Sequence, residues 1–137
     1  MNQPSIFITT KDVEKLRDLI RASYHTEYRG SDYLKQLAGE IEKASVVRSD
    51  QIPSDVITLN STARLVDQET NEEMIYTLVF PEDADTSQGK ISILAPIGTA
   101  MLGCKVGDTF KWDTPGGRRI IRVEEILYQP EASGDEQ

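Results

Sequence analysis

The spacing of apolar residues in the first third of the chain predicts two amphipathic helices. In each helix the apolar positions recur at intervals of three and four residues, which places them on one face. These positions are Val13, Leu16 and Ile20 in the first helix and Leu34, Leu37, Ile41 and Ala44 in the second. Because the loop between them, about residues 25–30, is short, the helices most simply fold back as an antiparallel hairpin. The alternative is that both helices lie flat on the sheet of one compact domain.

The pattern changes from a helical to an alternating one after a polar connector at residues 47–55. From Ile57 to Leu65 most odd-numbered positions are apolar, and from Met74 to Phe80 the even-numbered positions are apolar. Such alternation is typical of strands with one buried face, and the polar residues 67–71 between the two runs favour a turn. We therefore predict a β-hairpin, followed by an acidic surface loop at residues 81–89.

The stretch from Ile91 to Gln129 predicts a strand, a short helix and a second hairpin. Apolar and polar residues alternate at its start, and Pro96 then has the backbone angle suited to the first turn of a helix. Gly103 can close that helix in the left-handed conformation. Alternation resumes at Phe110, and a Thr-Pro-Gly-Gly turn follows. In the last strand the apolar residues shift from odd-numbered to even-numbered positions, and this change of parity predicts a bulge near Glu124.

Together these elements predict an α+β protein in three parts. Residues 1–48 form a short arm made of the antiparallel helical hairpin. Residues 49–130 form an antiparallel β domain of about five strands with one short helix, and residues 131–137 form a disordered tail. The apolar run at residues 5–9 fits either an edge strand or a lead-in that packs against the helices.

The length and composition of the chain exclude several classes of protein. A chain of 137 residues supports one substantial core with a small helical appendage rather than two large domains. The single cysteine, Cys104, cannot form an intrachain disulfide, and neither it nor the lone His25 has neighbours in sequence that suggest a metal or catalytic site. No apolar run approaches the roughly 20 residues needed to cross a bilayer, and the N-terminus lacks the basic start of a secretory signal. We expect a cytoplasmic protein that needs no metal or other cofactor and binds no membrane.

Negative charge is concentrated in the β domain. Residues 1–48 carry eight basic and seven acidic side chains (+1), and residues 49–137 carry seven and sixteen (−9), which together give the net charge of −8. A surface of this sign repels phosphate backbones, so direct binding of nucleic acid is disfavoured. A basic protein surface is the better partner.

The second half of the chain resembles the C-terminal domain of the Gre-type transcript-cleavage factors. The resemblance rests on the run Ala95–Gly103 (APIGTAMLG), on Gly107 and Asp108, and on the turn Thr114–Gly117 (TPGG), which the family shows at similar intervals. It implies an FKBP-like fold, although that fold does not by itself imply proline isomerase chemistry.

The resemblance also implies RNA polymerase as the partner, bound at the rim of the secondary channel. The residues that match the family's polymerase contact are Pro96, Ile97, Leu102 and Gly103. The family has a serine where this chain has Ala95, so no side-chain hydroxyl can make a contact at that position.

The same resemblance bears on the tip of the helical arm. In the family a long hairpin enters the polymerase channel, and its tip carboxylates help to hold a Mg²⁺ ion for transcript cleavage. Glu27 and Asp32 are the acidic residues near the tip here. A helix over residues 11–24 is only about 21 Å long at 1.5 Å per residue, so we expect it to stop short of the catalytic centre. Asp32 also has a sufficient role as a helix cap, and we therefore predict no catalytic residues and no bound metal.

The resulting prediction is a monomeric, non-enzymatic regulator that binds RNA polymerase and competes with longer-armed Gre-type factors. One alternative is a cleavage factor that acts through Glu27 and Asp32. The other is direct control of nucleoside diphosphate kinase, because the short-armed members of the family that this chain resembles are named as regulators of that enzyme. An indirect effect on the kinase through transcription is the simpler explanation.

Overall fold

The protein is described from a computed structural model over residues 7–23 and 32–134, and it divides into two compact units. The first unit spans Met1–Ile52 and the second spans Pro53–Gln137. Within the described ranges, no helix combines the length and the apolar character that a membrane crossing requires.

The N-terminal unit is a helical hairpin whose two ends are joined by a pair of short strands. Its elements in chain order are β1 (Phe7–Thr9), α1 (Thr10–Ser23), α2 (Asp32–Lys43) and β2 (Ser45–Val47). The two strands pair in parallel, with Phe7 opposite Ser45. The apolar run near the N-terminus is therefore a strand in its described part, and its residue Ile8 is buried.

The two helices form where the apolar stripes predict them. Thr9 caps α1, since its Oγ1 accepts a hydrogen bond from the backbone N–H of Asp12 at 3.2 Å. The helices contact each other and bury their apolar stripes, except that Ala44, the last residue of the predicted second stripe, follows α2 and is half-buried. The buried apolar residues are Val13, Leu16 and Ile20 in α1 and Leu34, Leu37 and Ile41 in α2. The predicted helical hairpin is confirmed.

The C-terminal unit is a five-stranded sheet with one short helix, in the strand order β5-β4-β3-β7-β6. Its elements are β3 (Thr62–Asp67), β4 (Glu73–Val79), β5 (Lys90–Ser92), α3 (Pro96–Met101), β6 (Thr109–Thr114), β7 (Gly117–Tyr128) and a final helical turn α4 (Pro130–Ser133). The α+β class and the two hairpins are as predicted.

One strand pair differs from the predicted antiparallel arrangement. Strands β4 and β5 are parallel, whereas the other neighbouring pairs of this sheet are antiparallel. The acidic loop between them contains two short 3₁₀ turns, Pro81–Asp83 and Thr86–Gln88, instead of one tight reversal. This longer path carries the chain back to Thr77, in the second half of β4, so that β5 runs in the same direction.

The last long strand carries the predicted bulge and a second one. Against β3, the register of β7 shifts at Glu124 and again at Leu127. Each shift places one additional residue of β7 opposite its partner strand and changes which side chains face the core. The parity change in the sequence indicates only the first of these two bulges.

The end of the chain is more ordered than predicted. A disordered tail was expected from Glu131, but Pro130–Ser133 forms a helical turn in which Pro130 is buried. The side chain of Glu131 accepts a hydrogen bond from Thr58 Oγ1 at 2.7 Å, and this contact ties the turn to the domain. Residues 135–137 lie outside the described part of the chain.

The core of the C-terminal unit lies on one face of the sheet. Nine apolar side chains of this unit have no exposed surface: Val56, Ile57, Ala63, Leu65, Leu78, Ile93, Met101, Ile121 and Val123. Complete burial of a Leu, Ile or Met side chain stabilises a fold by roughly 1.5–3 kcal/mol. Helix α3 packs next to strand β6, and its Met101 belongs to this set. The position of α3 is therefore determined by the core.

Asp67 is a buried carboxylate, 4% exposed, that closes the turn between β3 and β4. Its Oδ1 accepts hydrogen bonds from the backbone N–H groups of Glu69 (2.8 Å) and Thr70 (3.2 Å), and Arg119 Nε lies 3.3 Å from its Oδ2. The hydrogen bond from Glu69, with that from Thr70 and the charge of Arg119, lowers the pKa of Asp67 although burial opposes the shift.

We expect the protein to lose stability in acid through Asp67. Because the folded-state pKa lies below the unfolded value of about 3.9, the stabilisation is present above that pH and is lost as the pH falls through the folded-state pKa. Asp67→Asn should therefore flatten the fall in unfolding free energy at acid pH, measured by urea denaturation across a pH series. The matched control is Asp113→Asn at an exposed carboxylate of β6, which should change the profile less. Equal profiles for the two variants would contradict this role of Asp67.

Candidate partner-binding site

The residues that the sequence assigns to partner binding lie on and around helix α3, between strands β5 and β6. Pro96 is in the first turn of the helix, and Ala95 before it provides no side-chain cap. Ser92 instead shapes the turn into the helix, because its Oγ accepts from the Leu94 N–H and its carbonyl oxygen from the Ala95 N–H, both at 3.0 Å. The end of β5 and the proline together set where the helix starts.

Gly98 and Thr99 fix α3 closely against the end of β5. Thr99 is buried, and its Oγ1 donates a hydrogen bond to the carbonyl oxygen of Ile93 at 2.8 Å. Gly98 lies so near the backbone of Ser92 that any Cβ at this position would overlap the Ser92 carbonyl oxygen. The helix therefore has no room to slide along the strand.

The other end of α3 is fixed by a different part of the domain. Gly103 adopts the left-handed conformation, with φ of 81°, as predicted for the residue that closes the helix. Its N–H donates to the carbonyl oxygen of Ile57 at 3.0 Å, and the Ile57 N–H donates to the carbonyl oxygen of Cys104 at 2.8 Å. Both ends of this short helix are thus bonded to the surrounding backbone.

The structure separates the four predicted contact residues into two pairs. Ile97 and Leu102 are 5% and 6% exposed and belong to the core, whereas Pro96 and Gly103 are half-buried. A side chain in the core has almost no surface to offer a partner. Ile97 and Leu102 can therefore support a contact surface by packing beneath it, and Pro96 and Gly103 can be part of that surface.

Ala100 and Cys104 join Pro96 and Gly103 on the exposed side. Pro96 and Ala100 are one helical turn apart, and the Cys104 thiol donates to the carbonyl oxygen of Ala100 at 3.1 Å, so these residues adjoin. The sequence analysis named neither Ala100 nor Cys104 as a contact residue, although the four-residue spacing of Ala100 from Pro96 was a usable signal. We call the half-buried residues Ala95, Pro96, Ala100, Gly103 and Cys104 the α3 surface.

The α3 surface is uncharged and ends at two exposed residues. None of its five residues is Asp, Glu, Lys, Arg or His, and the Cys104 thiol is a weak donor that is already hydrogen-bonded. Lys105 and Val106 follow directly, and Val106 is 43% exposed although it is apolar. This arrangement can form a small apolar contact, and among its five residues only the Cys104 thiol has nucleophilic character.

The acidic residues of the predicted arm tip are not brought into a described site. Glu27 lies outside the described residues, and of Asp32 only the backbone is described, as the first residue of α2. Over residues 7–23 and 32–134, no three His, Cys, Asp or Glu side chains lie close enough together to hold a metal ion. A role for the tip carboxylates therefore stays a prediction.

Comparison with protein families gives two matches that together cover most of the chain. Residues 52–128 match the family described as "Transcription elongation factor, GreA/GreB, C-term", and residues 4–47 match the family described as "Rnk N-terminus". A protein of Escherichia coli K12 named "Regulator of nucleoside diphosphate kinase" is 35% identical over 136 residues, which cover 98% of each chain. The transcription elongation factor GreA of Bartonella henselae is 31% identical over 111 residues, 78% of this chain and 71% of that one.

Solved structures agree with these sequence matches. A structure described as a prokaryotic transcription elongation factor GreA/GreB from Nitrosomonas europaea superposes with a TM-score of 0.79 at 40% identity, over 92% of this chain and 100% of that one. Gfh1 of Thermus aquaticus superposes with a TM-score of 0.51 at 24% identity, over 90% of this chain and 99% of that one. At that identity the second likeness concerns the fold alone.

Proposed function

The chain belongs to the GreA/GreB family of transcription elongation factors, with an Rnk-type N-terminal part, and from this premise we propose that it regulates transcription by binding RNA polymerase. The α3 surface is the proposed contact, and the rim of the secondary channel is the proposed place. One observation carries the proposal: an uncharged, half-buried helix face, fixed at both ends, lies where the family resemblance places the polymerase contact.

The charge of the chain supports a protein partner. Residues 49–137 carry nine more acidic than basic side chains, so this part of the protein repels nucleic acid and is attracted to basic protein surfaces. A domain with net negative charge and an uncharged patch suits a docking contact in which long-range attraction to a basic partner speeds encounter and the patch supplies the close contact. We propose no direct contact between this protein and the nucleic acid of the transcribing complex.

The short arm supports regulation without catalysis. Helix α1 has 14 residues and is therefore about 21 Å long at 1.5 Å per residue. We propose that an arm of this length leaves the polymerase active centre untouched, so that the protein acts as a monomer that excludes longer-armed factors from the same rim. Any change in nucleoside diphosphate kinase levels would then follow indirectly from altered transcription.

Replacing Pro96 tests the proposed contact. Pro96→Ala removes part of the half-buried α3 surface, and we expect it to weaken binding to core RNA polymerase about tenfold, which corresponds to about 1.4 kcal/mol. Binding of each variant to surface-immobilised polymerase is measured, and circular dichroism checks that the variant keeps its fold. Pro115→Ala, at an exposed proline in the β6–β7 turn, is the matched control and should bind like the wild type. If Pro96→Ala binds as tightly as Pro115→Ala, Pro96 is not in the interface.

A further inference from the structure

Gln129, directly after strand β7, is a buried polar residue that the proposed contact does not use. It is 3% exposed, and its side-chain Nε2 donates two hydrogen bonds, to the carbonyl oxygens of Pro53 (2.8 Å) and Val56 (2.7 Å). Both acceptors belong to the leading segment of the C-terminal unit, residues 53–61. One amide near the end of the chain therefore holds the backbone at the beginning of the domain.

A second set of hydrogen bonds supports the same connection. Thr58 Oγ1 lies 2.7 Å from Glu131 Oε1, to which it donates, and 2.8 Å from Ser61 Oγ. The backbone N–H of Thr58 donates to Ser61 Oγ at 2.9 Å, and both Thr58 and Ser61 are buried. The leading segment is thus fixed at two points by residues that follow β7.

The opposite edge of the leading segment bonds to the end of the α3 surface. In addition to the two hydrogen bonds that join Ile57 to Gly103 and Cys104, the Val106 N–H donates to the carbonyl oxygen of Asp55 at 3.0 Å. The carbonyl oxygen of Val56, between Asp55 and Ile57, accepts from Gln129 instead. Successive residues of the leading segment therefore bond alternately to the residues after α3 and to Gln129, as in a strand between two neighbours.

The Gln129 amide uses its donor group but not its acceptor oxygen in hydrogen bonds. Gln129 Oε1 is buried and has no hydrogen-bond partner among the residues that the structure describes. An unpaired buried acceptor carries a cost in free energy, but an apolar side chain of similar volume would leave the carbonyl oxygens of Pro53 and Val56 without this donor. The amide is better explained by the backbone geometry that its two donated hydrogen bonds impose.

We propose that Gln129 is a positioning residue for the α3 surface. By holding the carbonyl groups of Pro53 and Val56, it fixes the leading segment, and the leading segment in turn fixes Gly103 and Cys104 at the edge of the surface. This inference rests on the proposed function, because the surface that Gln129 positions is the one assigned to RNA polymerase.

Gln129→Met in the full-length chain tests the proposal, because methionine has similar volume and no donor. We expect amide hydrogen exchange at Gly103 and Val106 to become about tenfold faster, while amides in the centre of β3 and β7 keep their rates. We also expect the affinity for core RNA polymerase to fall about tenfold at a temperature where the variant is fully folded. Should Gln129→Met not fold, Gln129→Asn carries the same test, since its amide is one methylene too short to reach both carbonyl groups.

The control is Asp67→Asn, which weakens the turn at the other end of β3 and touches no residue of the leading segment. If the coupling through the leading segment is specific, this variant leaves both the exchange at Gly103 and the polymerase affinity unchanged. If any loss of stability were enough to change them, the control would change them too. Unchanged exchange at Gly103 and Val106 in a folded Gln129 variant would overturn the coupling, and faster exchange with undiminished affinity would overturn its relevance to binding. If the wild-type protein does not bind polymerase, the proposed function is wrong. The exchange rates at Gly103 and Val106 still test the coupling between Gln129 and the α3 surface in that case.

Discussion

Gly98→Ala is expected to destabilise the C-terminal unit by about 3 kcal/mol and to abolish polymerase binding, because the added methyl group has no space. Its Cβ would overlap the carbonyl oxygen of Ser92, which is backbone and cannot turn aside as a flexible side chain can. The helix would have to move off β5 and break the hydrogen bond from Thr99 to Ile93. The α3 surface would then be displaced together with the core residues beneath it.

Urea denaturation of the variant measures this effect, and Gly39→Ala is the matched control. Gly39 lies within α2, where an added Cβ meets no atom within 4 Å, and alanine in a helix is favoured over glycine by about 1 kcal/mol. The same chemical change should therefore stabilise the protein at Gly39 and destabilise it strongly at Gly98. A Gly98→Ala variant as stable as the wild type would show that α3 does not pack against β5 as described.

Leu16→Ala is expected to have the second-largest effect, on the N-terminal unit. Leu16 is completely buried in α1, and truncation of a buried leucine to alanine costs about 2–5 kcal/mol. The first unit is small, so we expect this loss to unfold much of the helical hairpin, which the decrease in helical circular dichroism would report. Arg17→Ala, at an exposed neighbour on the same helix, should leave the signal unchanged.

The same Leu16 variant separates the roles of the two units. If polymerase binding resides in the α3 surface, Leu16→Ala should bind core RNA polymerase nearly as tightly as the wild type although its arm is unfolded. A loss of affinity as large as that expected for Pro96→Ala would instead assign an essential contact to the arm.

Periodicity along the chain was sufficient to predict most of the fold. The stripes in α1 and α2 and the alternation in β3, β4, β6 and β7 each specify one face turned away from solvent, although in β6 that face is only half-buried. A shift of the apolar residues from odd-numbered to even-numbered positions within β7 indicates the bulge at Glu124. These signals are local, since each depends on residues that are near one another in the sequence. The prolines and glycines around α3 also act locally, which is why its limits were predicted well.

Features that depend on distant residues could not be predicted in this way. The parallel pairing of β5 follows from the path of a loop, and the helical turn at Pro130 depends on Thr58, which is 73 residues from its partner Glu131. The same limit applies to the candidate site. A family motif assigns Ile97 and Leu102 to it together with Pro96 and Gly103, and only the packing of α3 in the core distinguishes the buried pair from the half-buried pair.

Competition for core RNA polymerase tests the central proposal most directly. A fluorescently labelled GreA factor is bound to core polymerase, and the full-length protein is added at increasing concentration while anisotropy is recorded. If both use the same rim of the secondary channel, the protein displaces GreA completely, and Pro96→Ala needs about tenfold higher concentration to do so. Binding of both proteins to polymerase at once, or no binding of this protein at all, would contradict the proposal.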